Sequence, residues 1–228
     1  MKKILMMMIV ITLLLSTFVA NVQATGDDEW QNLFIDVNSD DWFYDYVEYA
    51  VTTGLFVGIS DEEFAPNTAM TRAMFVTILW RFANEPTTDT SNEFYDVDDD
   101  LWYTDAVDWA AANSIIFGTS VNVFSPYEEL SRQQMAGILY RYLQFSDKIP
   151  PDLVITSKDF SDWDNFSPSA VIPVNMLTSQ DILRGRVNGT FGPRDPVTRA
   201  EAATAFNRVQ RYVTEYVTDI MNGSVARN

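Results

Sequence analysis

Two blocks of this sequence repeat each other at a spacing of 60 residues, and a third, looser copy follows them. Each copy opens on a Phe-x-Asp motif, which begins at Phe34, Phe94 and Phe160. A glycine, a Phe-x-Pro motif and a Thr/Ser-Arg pair follow at matched spacing in the first two copies, and one inserted residue shifts them in the third. A fixed period of this length indicates that one structural unit is used three times.

The first 24 residues have the pattern of a secretory signal peptide. Lys2 and Lys3 precede an uncharged apolar stretch over residues 4–20, and the segment 22–24 provides small residues for a signal peptidase. A transmembrane anchor is the alternative, but the stretch is short for one. The sequence therefore predicts export, cleavage before about Thr25, and no membrane span in the mature chain.

The mature chain is strongly acidic and has no cysteine or histidine. Without the two signal lysines it carries 13 basic and 32 acidic residues, a formal net charge of −19, which argues against a nucleic-acid partner. The missing residue types exclude disulfides, thiolate or imidazole metal ligands and the commonest general base. The sequence predicts no cofactor and no metal site.

Two acidic segments, 36–41 and 96–100, raise the possibility of a calcium loop, but they fail the EF-hand pattern. That loop needs glycine at its sixth position and glutamate at its twelfth. Counted from Asp36 these positions are Asp41 and Val47, and counted from Asp96 they are Leu101 and Val107. Solvated acids that cap helices explain the two segments better.

Each copy contains the apolar spacing of two helices. In the first helix, apolar residues recur at i, i+3, i+4, i+7 and i+8 from Phe43 and again from Tyr103. The third copy has this stripe from Ala170, with Pro173 inside it. Because proline is tolerated only in the first turn of a helix, we expect that helix to start late.

A loop with a conspicuous glycine joins the two helices of each copy. Gly58, Gly118 and Gly185 indicate a left-handed or crowded backbone position. The aromatic residue of the Phe-x-Pro motif is expected to anchor this loop in the core. The residues concerned are Phe64, Phe124 and Phe191.

The second helix of each copy begins at a polar residue that is typical of an N-cap. The three predicted N-caps are Thr71, Ser131 and Thr198. Gln134 and Glu201 complete a reciprocal capping box in the second and third copies, whereas Met74 cannot do so in the first.

An arginine follows each cap, where a cation faces the positive end of the helix dipole. These residues are Arg72, Arg132 and Arg199. Two explanations compete: an ion pair with the aspartate of the Phe-x-Asp motif, or an anion site shared with free N–H groups of the helix start. Position alone favours neither. The arginines nine residues later, Arg81, Arg141 and Arg208, lie near the expected helix ends and need no functional explanation.

Taken together, these motifs resemble the S-layer homology modules, whose usual number is three tandem copies. The resemblance covers about residues 28–212 and rests on motifs that recur in order at three places. It implies an all-α fold of helix-loop-helix repeats, three-pronged and pseudo-threefold around a central helix bundle. It also implies non-covalent anchoring to the bacterial cell wall through a secondary cell wall polysaccharide or other peptidoglycan-associated glycan, often through a pyruvate ketal on N-acetylmannosamine.

The resemblance also implies a set of ligand-binding residues, in grooves between adjacent copies. Arginine binds a carboxylate through paired hydrogen bonds, tryptophan offers a face to a sugar ring, and glycine allows a ring to approach the backbone. Aspartate accepts hydrogen bonds from the sugar or orients the arginine. The predicted ligand-binding residues are Asp36, Trp42, Gly58, Arg72, Asp96, Trp102, Gly118, Arg132, Asp162, Gly185 and Arg199.

The copies depart from the family pattern at two places. Ser169 stands where the third copy should have tryptophan, and only the third copy keeps the family's glutamate, Glu201, behind its arginine. We therefore expect one or two competent grooves. Packing between helices is the alternative role for Trp42 and Trp102.

An enzyme is a poor alternative, because three equivalent sets of surface acids do not single out the carboxylate pair that a glycosidase needs. A cell-envelope scaffold or adhesin that works through protein contacts is the better one. The apolar spacing continues from Val209 to Met221, so the last helix is expected to run to about Asn222 and either to seal the third repeat or to meet an envelope partner.

The sequence thus divides into a signal peptide, three repeats and a C-terminal helical extension with a tail. The predicted boundaries are 1–24, 28–86, 87–147, 154–212 and 213–228. We expect an exported protein of the cell wall or S-layer surface.

Overall fold

The structure is a computed structural model that describes residues 30–222, and its helices form on the predicted apolar stripes. The predicted signal peptide, residues 1–24, lies outside the described residues, as does the end of the tail from residue 223. The described part contains six α-helices, two short 3₁₀ turns and isolated β-bridges but no β-strand, which confirms the all-α prediction. The helices are α1 (Tyr44–Thr52), α2 (Arg72–Phe82), α3 (Thr104–Ala112), α4 (Arg132–Phe145), α5 (Val171–Ser179) and α6 (Arg199–Met221), and the 3₁₀ turns are Trp163–Asn165 and Pro168–Ala170.

The first helices, α1, α3 and α5, bury the apolar stripe that their spacing predicts. The expectation that α5 starts late is wrong, because α5 begins at Val171, the position equivalent to the first residues of α1 and α3. Pro173 is therefore the third residue of the helix, where no intrahelical bond needs its missing N–H. The 3₁₀ turn Pro168–Ala170 leads directly into α5.

The second helices, α2, α4 and α6, begin at the predicted N-caps. Ser131 and Gln134 form the complete capping box, with backbone N–H to side-chain oxygen distances of 2.8 and 3.3 Å. Thr198 and Glu201 form the same box at 3.0 and 3.2 Å. Thr71 accepts only from the N–H of Met74, at 3.2 Å, as its sequence predicts.

The three copies contact one another in a cycle. α3 packs against α2, α5 against α4, and α1 against α6. The residues directly before the N-caps close a ring of backbone hydrogen bonds: Met70 N–H donates to Val197, Val197 to Leu130, and Leu130 to Met70, at 2.8, 2.8 and 2.9 Å. The three-pronged, pseudo-threefold shape stays a prediction, but these contacts join all three copies.

Aromatic rings connect the second helices to one another. Phe206 of α6 lies 5.2 Å from Phe75 and 5.4 Å from Phe82 of α2, between ring centroids. Phe82 in turn lies 5.8 Å from Tyr142 of α4. Large aromatic rings contribute strongly to core stability, so this cluster connects the three second helices to one another.

The last helix extends to Met221, which confirms the predicted long C-terminal helix. Its extension is tied to the segment after α4, because the Tyr212 hydroxyl donates to the Lys148 carbonyl at 2.9 Å. Burial raises the pKa of Tyr212 to about 12. Tyr212 thus packs the start of the extension against the rest of the fold, while Val217 farther along the helix is exposed. None of the helices within residues 30–222 combines the length and the apolar character needed to cross a bilayer.

Candidate functional site

The three cap arginines are buried, and each reaches into the loop of the next copy in the cycle. Two guanidinium nitrogens, Nε and Nη2, donate to main-chain carbonyls in each case. The acceptors are Phe124 and Phe117 for Arg72 at 2.7 and 2.9 Å, Phe191 and Arg184 for Arg132 at 2.9 and 2.8 Å, and Phe64 and Val57 for Arg199 at 2.8 and 2.6 Å. The arginines therefore fasten adjacent copies together.

Burial is the main electrostatic influence on these arginines and lowers the pKa of each guanidinium. A buried cation needs strong compensation. The charge-assisted bonds to carbonyls supply part of it, and each guanidinium also lies over the phenylalanine ring of the same loop, 4.6–4.7 Å from its centroid. These contacts with the neighbouring copy thus offset the unfavourable position of each guanidinium at the positive end of its own helix.

The aspartates of the Phe-x-Asp motifs hold the loop of their own copy. Asp96 accepts from the N–H groups of Phe124 and Ser125 at 2.8 and 2.7 Å. Asp36 and Asp162 do the same, with donors Phe64 and Ala65, and Phe191 and Gly192, at 2.7–2.9 Å. The loop phenylalanine of each copy therefore contacts both residues. Its N–H donates to the aspartate of its own copy, and its carbonyl and ring contact the arginine of the preceding copy in the cycle.

Both sequence-based explanations of the cap arginines need correction. Within residues 30–222 no direct ion pair joins a cap arginine to a Phe-x-Asp aspartate. The N–H groups of the helix starts are also not free, since those of Arg72 and Ala73 donate to the carbonyls of Glu128 and Pro126, both at 2.9 Å. The other two second helices make the equivalent bonds to the copy that follows. An anion at these helix starts would therefore have to be bound by side-chain donors and not by free backbone N–H groups.

The repeated glycines make room for a phenylalanine of their own copy. A Cβ placed on Gly118 would lie 3.1 Å from a ring carbon of Phe94, and one on Gly58 would lie 2.6 Å from the ring of Phe34. Gly185 has the same close contact with Phe160. The crowded interpretation is correct and the left-handed one is wrong, because positive φ occurs instead one residue after the loop phenylalanine, at Ala65, Ser125 and Gly192. The approach of a sugar ring to these glycines stays a prediction.

A cleft of about 710 Å³, here the large cleft, draws on all three copies. Trp42 comes from the first copy, Arg132 and Met135 from the second, and the rest from the third, whereas two copies per groove were expected. The other lining residues are Ile182, Leu183, Arg184, Gly185, Arg186, Val187, Asn188, Glu201, Thr204, Ala205 and Arg208.

The charges of the large cleft are nearly all paired. Glu201 accepts from Arg132 Nη1 at 2.7 Å, Arg186 pairs with Asp195 at 2.7 Å, and Arg184 pairs with Asp181. Arg208 is the exception: it is 8% exposed, and its Nε makes no hydrogen bond to the described residues. Its Nη2 lies 3.4 Å from the Tyr46 hydroxyl, a weak bond at best.

A second cleft, of about 270 Å³ and here the small cleft, has the equivalent composition one copy earlier. It contains Arg72 from the first copy, Gly118 and Arg141 from the second, and Ser169 from the third. Its other lining residues are Phe117, Thr119, Gln133, Gln134, Gly137, Ile138, Ser167 and Ala170. Ser169 thus replaces the tryptophan of this cleft, as its spacing from Gly185 predicts.

The structure gathers only some of the predicted residues into these two clefts. Trp42, Arg132 and Gly185 line the large cleft, and Arg72 and Gly118 line the small one. Trp42 and Trp102 are 61% and 58% exposed, so neither packs between helices as the alternative required. The predicted residues outside both clefts are Asp36, Gly58, Asp96, Trp102, Asp162 and Arg199.

Sequence reasoning missed Arg141 and Arg208, which were set aside as helix-end cations. Arg208 lies in the middle of α6. Both residues line a cleft, and Arg141 also donates from Nε to the Ile115 carbonyl at 2.7 Å. Their recurrence nine residues after each cap arginine was the signal that pointed to them. Within residues 30–222 no cluster of three acidic side chains is placed to hold a metal ion.

Comparison with known families gives a match over more than half of the chain. The family described as "S-layer homology domain" matches at residues 33–74, 93–136 and 159–203, one match in each copy.

Individual relatives include a surface-layer protein, an enzyme and an anchoring protein. The chain is 33% identical over 165 residues to the Surface-layer 125 kDa protein of Lysinibacillus sphaericus, a match over 71% of this chain and 13% of that protein. It is 30% identical over 175 residues to Amylopullulanase of Thermoanaerobacterium thermosulfurigenes, over 77% of this chain and 9% of the enzyme. It is 25% identical over 152 residues to the Cellulosome-anchoring protein of Acetivibrio thermocellus, over 64% of this chain and 33% of that protein. The chain therefore spans a third or less of the length of these relatives.

Proposed function

Because the chain belongs to the S-layer homology domain family, with three tandem modules, we propose that it anchors itself non-covalently to the bacterial cell wall by binding a wall polysaccharide. Family membership makes it a secreted protein of the cell surface, and one relative is by name a surface-layer protein. Anchoring is the activity that the cellulosome-anchoring relative is named for. The amylopullulanase shares only 9% of its length with this chain, so we infer a binding role and not a catalytic one.

The large cleft carries the finer part of the proposal. It combines an exposed indole, Trp42, with a nearly buried guanidinium, Arg208, that forms no direct ion pair with any acid among the described residues. An indole face suits the apolar face of a sugar ring, and a guanidinium suits a carboxylate. A secondary cell wall polysaccharide with a pyruvate ketal offers both groups on one residue. We therefore propose this glycan class as the ligand and the large cleft as its main site.

The other predicted ligand residues keep different roles in this proposal. Arg132 and Gly185 shape the cleft, since the first is already bound to Glu201 and the second is packed against Phe160. A third site around Arg199, Gly58 and Trp102 stays a prediction, and so does direct contact of the three aspartates with the glycan.

The test is sedimentation of the mature protein with purified wall sacculi, before and after chemical removal of the polysaccharide or of its pyruvate alone. We expect binding to need both. Trp42→Ala and Arg208→Gln should each weaken binding about tenfold, the effect of about 1.4 kcal/mol. Tyr95→Ala is the matched control, because Tyr95 is an exposed aromatic residue that does not line the large cleft. Binding that survives stripping would instead favour a scaffold that works through protein contacts.

A further inference from the structure

The loops that join the two helices of the first and third copies have opposite charges. Loop 57–68, here the acidic loop, contains three acids and no base, a formal charge of −3. The equivalent loop 184–195, here the basic loop, contains three arginines and one aspartate, a formal charge of +2. The equivalent loop of the second copy, 117–128, contains one glutamate and no base. Equivalent places in the repeats thus carry different charges.

An exposed aliphatic patch borders the acidic loop. Its four side chains, 58–72% exposed, are Leu33, Ile35, Val57 and Ile59. Ile35 N–H donates to the Glu62 carbonyl at 2.8 Å, and Ile59 N–H donates to the Glu63 carbonyl at the same distance. Both parts of the patch therefore lie beside the acids of the loop. The equivalent residues of the third copy are Asp159, Ser161, Arg184 and Arg186.

The carboxylates of the acidic loop are not used inside the molecule. Asp61, Glu62 and Glu63 are exposed, and none of the ion pairs or side-chain hydrogen bonds among residues 30–222 involves their carboxylates. In that part of the chain no ion pair joins the acidic loop to the basic loop. Three charges beside an apolar patch are therefore available to a partner of opposite charge.

The basic loop offers the complementary surface. Val187 at its centre is fully exposed. Arg194 is exposed and donates only to the Asn165 carbonyl, at 3.2 Å. Arg184 and Arg186 form ion pairs at the surface, where such pairs contribute little, and each guanidinium still has donors for a second carboxylate.

We propose that the acidic loop of one molecule docks on the basic loop of a second molecule of the same chain. The aliphatic patch of the first molecule meets Val187 of the second, and the three free carboxylates meet the three arginines. Two acidic loops cannot pair with each other in the same way, because like charges in contact cost several kcal/mol. The two surfaces differ, so the contact is heterologous and extends into rings or chains instead of closing as a symmetric dimer.

This contact does not rest on the proposed wall anchoring. It is a contact between protein surfaces and needs no glycan, although Arg184, Arg186 and Val187 also line the large cleft. Glu62, Glu63 and Arg194 lie outside both clefts. Association in solution and binding to sacculi are measured separately, so the two proposals can fail independently.

Sedimentation equilibrium of the mature protein over a range of concentrations tests the proposal, at a salt concentration of about 0.15 M. The Debye length of about 8 Å screens the overall charge of −19 there but leaves charges in contact coupled. We expect the average mass to rise above that of the monomer as the concentration increases. The surfaces are small, so the association is expected to be weak and reversible.

Two charge-reversal variants test the pairing of the loops, after circular dichroism has verified their helicity. Glu62→Lys with Glu63→Lys makes the acidic loop basic, and Arg184→Glu with Arg194→Glu makes the basic loop acidic. Each variant alone should associate about tenfold more weakly than the wild type, or weaker still. An equimolar mixture should recover association, because each altered loop then meets a loop of opposite charge.

The aliphatic patch is tested by Ile35→Asp, which should also weaken association about tenfold. Tyr95→Asp is its control, since Tyr95 is the equivalent exposed residue of the second copy. Glu93→Lys with Asp99→Lys is the control for charge, because it changes the net charge of the chain as much as the acidic-loop variant does. Both controls should associate like the wild type.

Three results would overturn the proposal. The first is a wild-type protein that stays monomeric at every concentration. The second is a set of folded loop variants that associate like the wild type, or no more weakly than their controls. The third is a mixture of the two charge-reversal variants that associates no better than either variant alone.

Discussion

The replacement of Asp96 by asparagine separates a structural role of the repeated aspartates from a ligand-binding role. In the structure both carboxylate oxygens of Asp96 are in use, at 2.8 and 2.7 Å from the N–H groups of Phe124 and Ser125. Asparagine offers only one acceptor oxygen, and its NH₂ group would face the other N–H. The variant therefore loses one charge-assisted bond and leaves one backbone donor poorly paired.

The size of the effect follows from those two changes. A hydrogen bond to a charged group contributes about 1.5–3 kcal/mol, and Asp96 is half-buried, so we expect a loss near the lower end, about 2 kcal/mol. That corresponds to a change of about 30-fold in the folding equilibrium. The Tm of a chain of this size should fall by about 4–8 °C.

Urea unfolding followed by tryptophan fluorescence measures the loss, provided that the slope of the transition is unchanged. Asp99→Asn is the control, because Asp99 is an exposed acid of the same segment whose side chain has no hydrogen bond to the described residues. It should alter stability by less than about 0.5 kcal/mol. If Asp96→Asn were as stable as the control and lost only sacculus binding, the structural assignment of the aspartates would be wrong.

Three further changes test the packing of the repeats by the same unfolding assay. Gly118→Ala should destabilise by about 2 kcal/mol or more, because its Cβ would lie 2.5 and 2.6 Å from two carbonyl oxygens. Gly54→Ala is the control, since Gly54 has open space around it and the alanine meets only the strain of its φ of +73°. Equal losses of stability in the two variants would refute the crowding argument. Ala65→Gly should stabilise by about 0.5 kcal/mol, since Ala65 has a φ of +58°, and a loss of stability would show that no strain is stored there. Tyr212→Phe should cost about 1 kcal/mol at neutral pH through the lost bond to Lys148. Because the folded pKa of Tyr212 is raised to about 12, its contribution is complete below about pH 10 and falls as the pH rises towards 12, so the wild type should lose stability over that range and the Phe variant should lose less.

Local features of the sequence were enough to predict the repeating unit. The helices, their caps and the buried phenylalanines follow from spacing and capping rules that act within a few residues. The capping box of Ser131 and Gln134 and the one-sided cap of Thr71 were predicted correctly for this reason. The late start expected for α5 is wrong because Pro173 is the third residue of a helix that starts at Val171, where its missing N–H removes no intrahelical bond.

The partners of the charged residues could not be predicted from the sequence. Arg199 binds a loop that begins more than 130 residues earlier, and Arg208 meets Trp42 in one cleft only because α1 packs against α6. Contacts of this separation depend on how the three copies dock, and no local rule determines that. The cyclic docking also decides that Ser169, and not a tryptophan, stands beside Arg72.

The sequence by itself therefore determined a three-repeat, all-helical, exported chain with an arginine behind each cap. These features depend on the repeat period and on the spacing of apolar and polar residues, which can be read directly from the sequence. Only the tertiary structure decided that these arginines bind neighbouring copies, that the aspartates hold the loops, and that two clefts at equivalent positions of the repeats differ. The difference arises from two positions: the large cleft has Glu201 and Trp42 with Arg132, and the small cleft has Gln134 and Ser169 with Arg72. Only the docking of distant segments brings each of these sets together in one cleft.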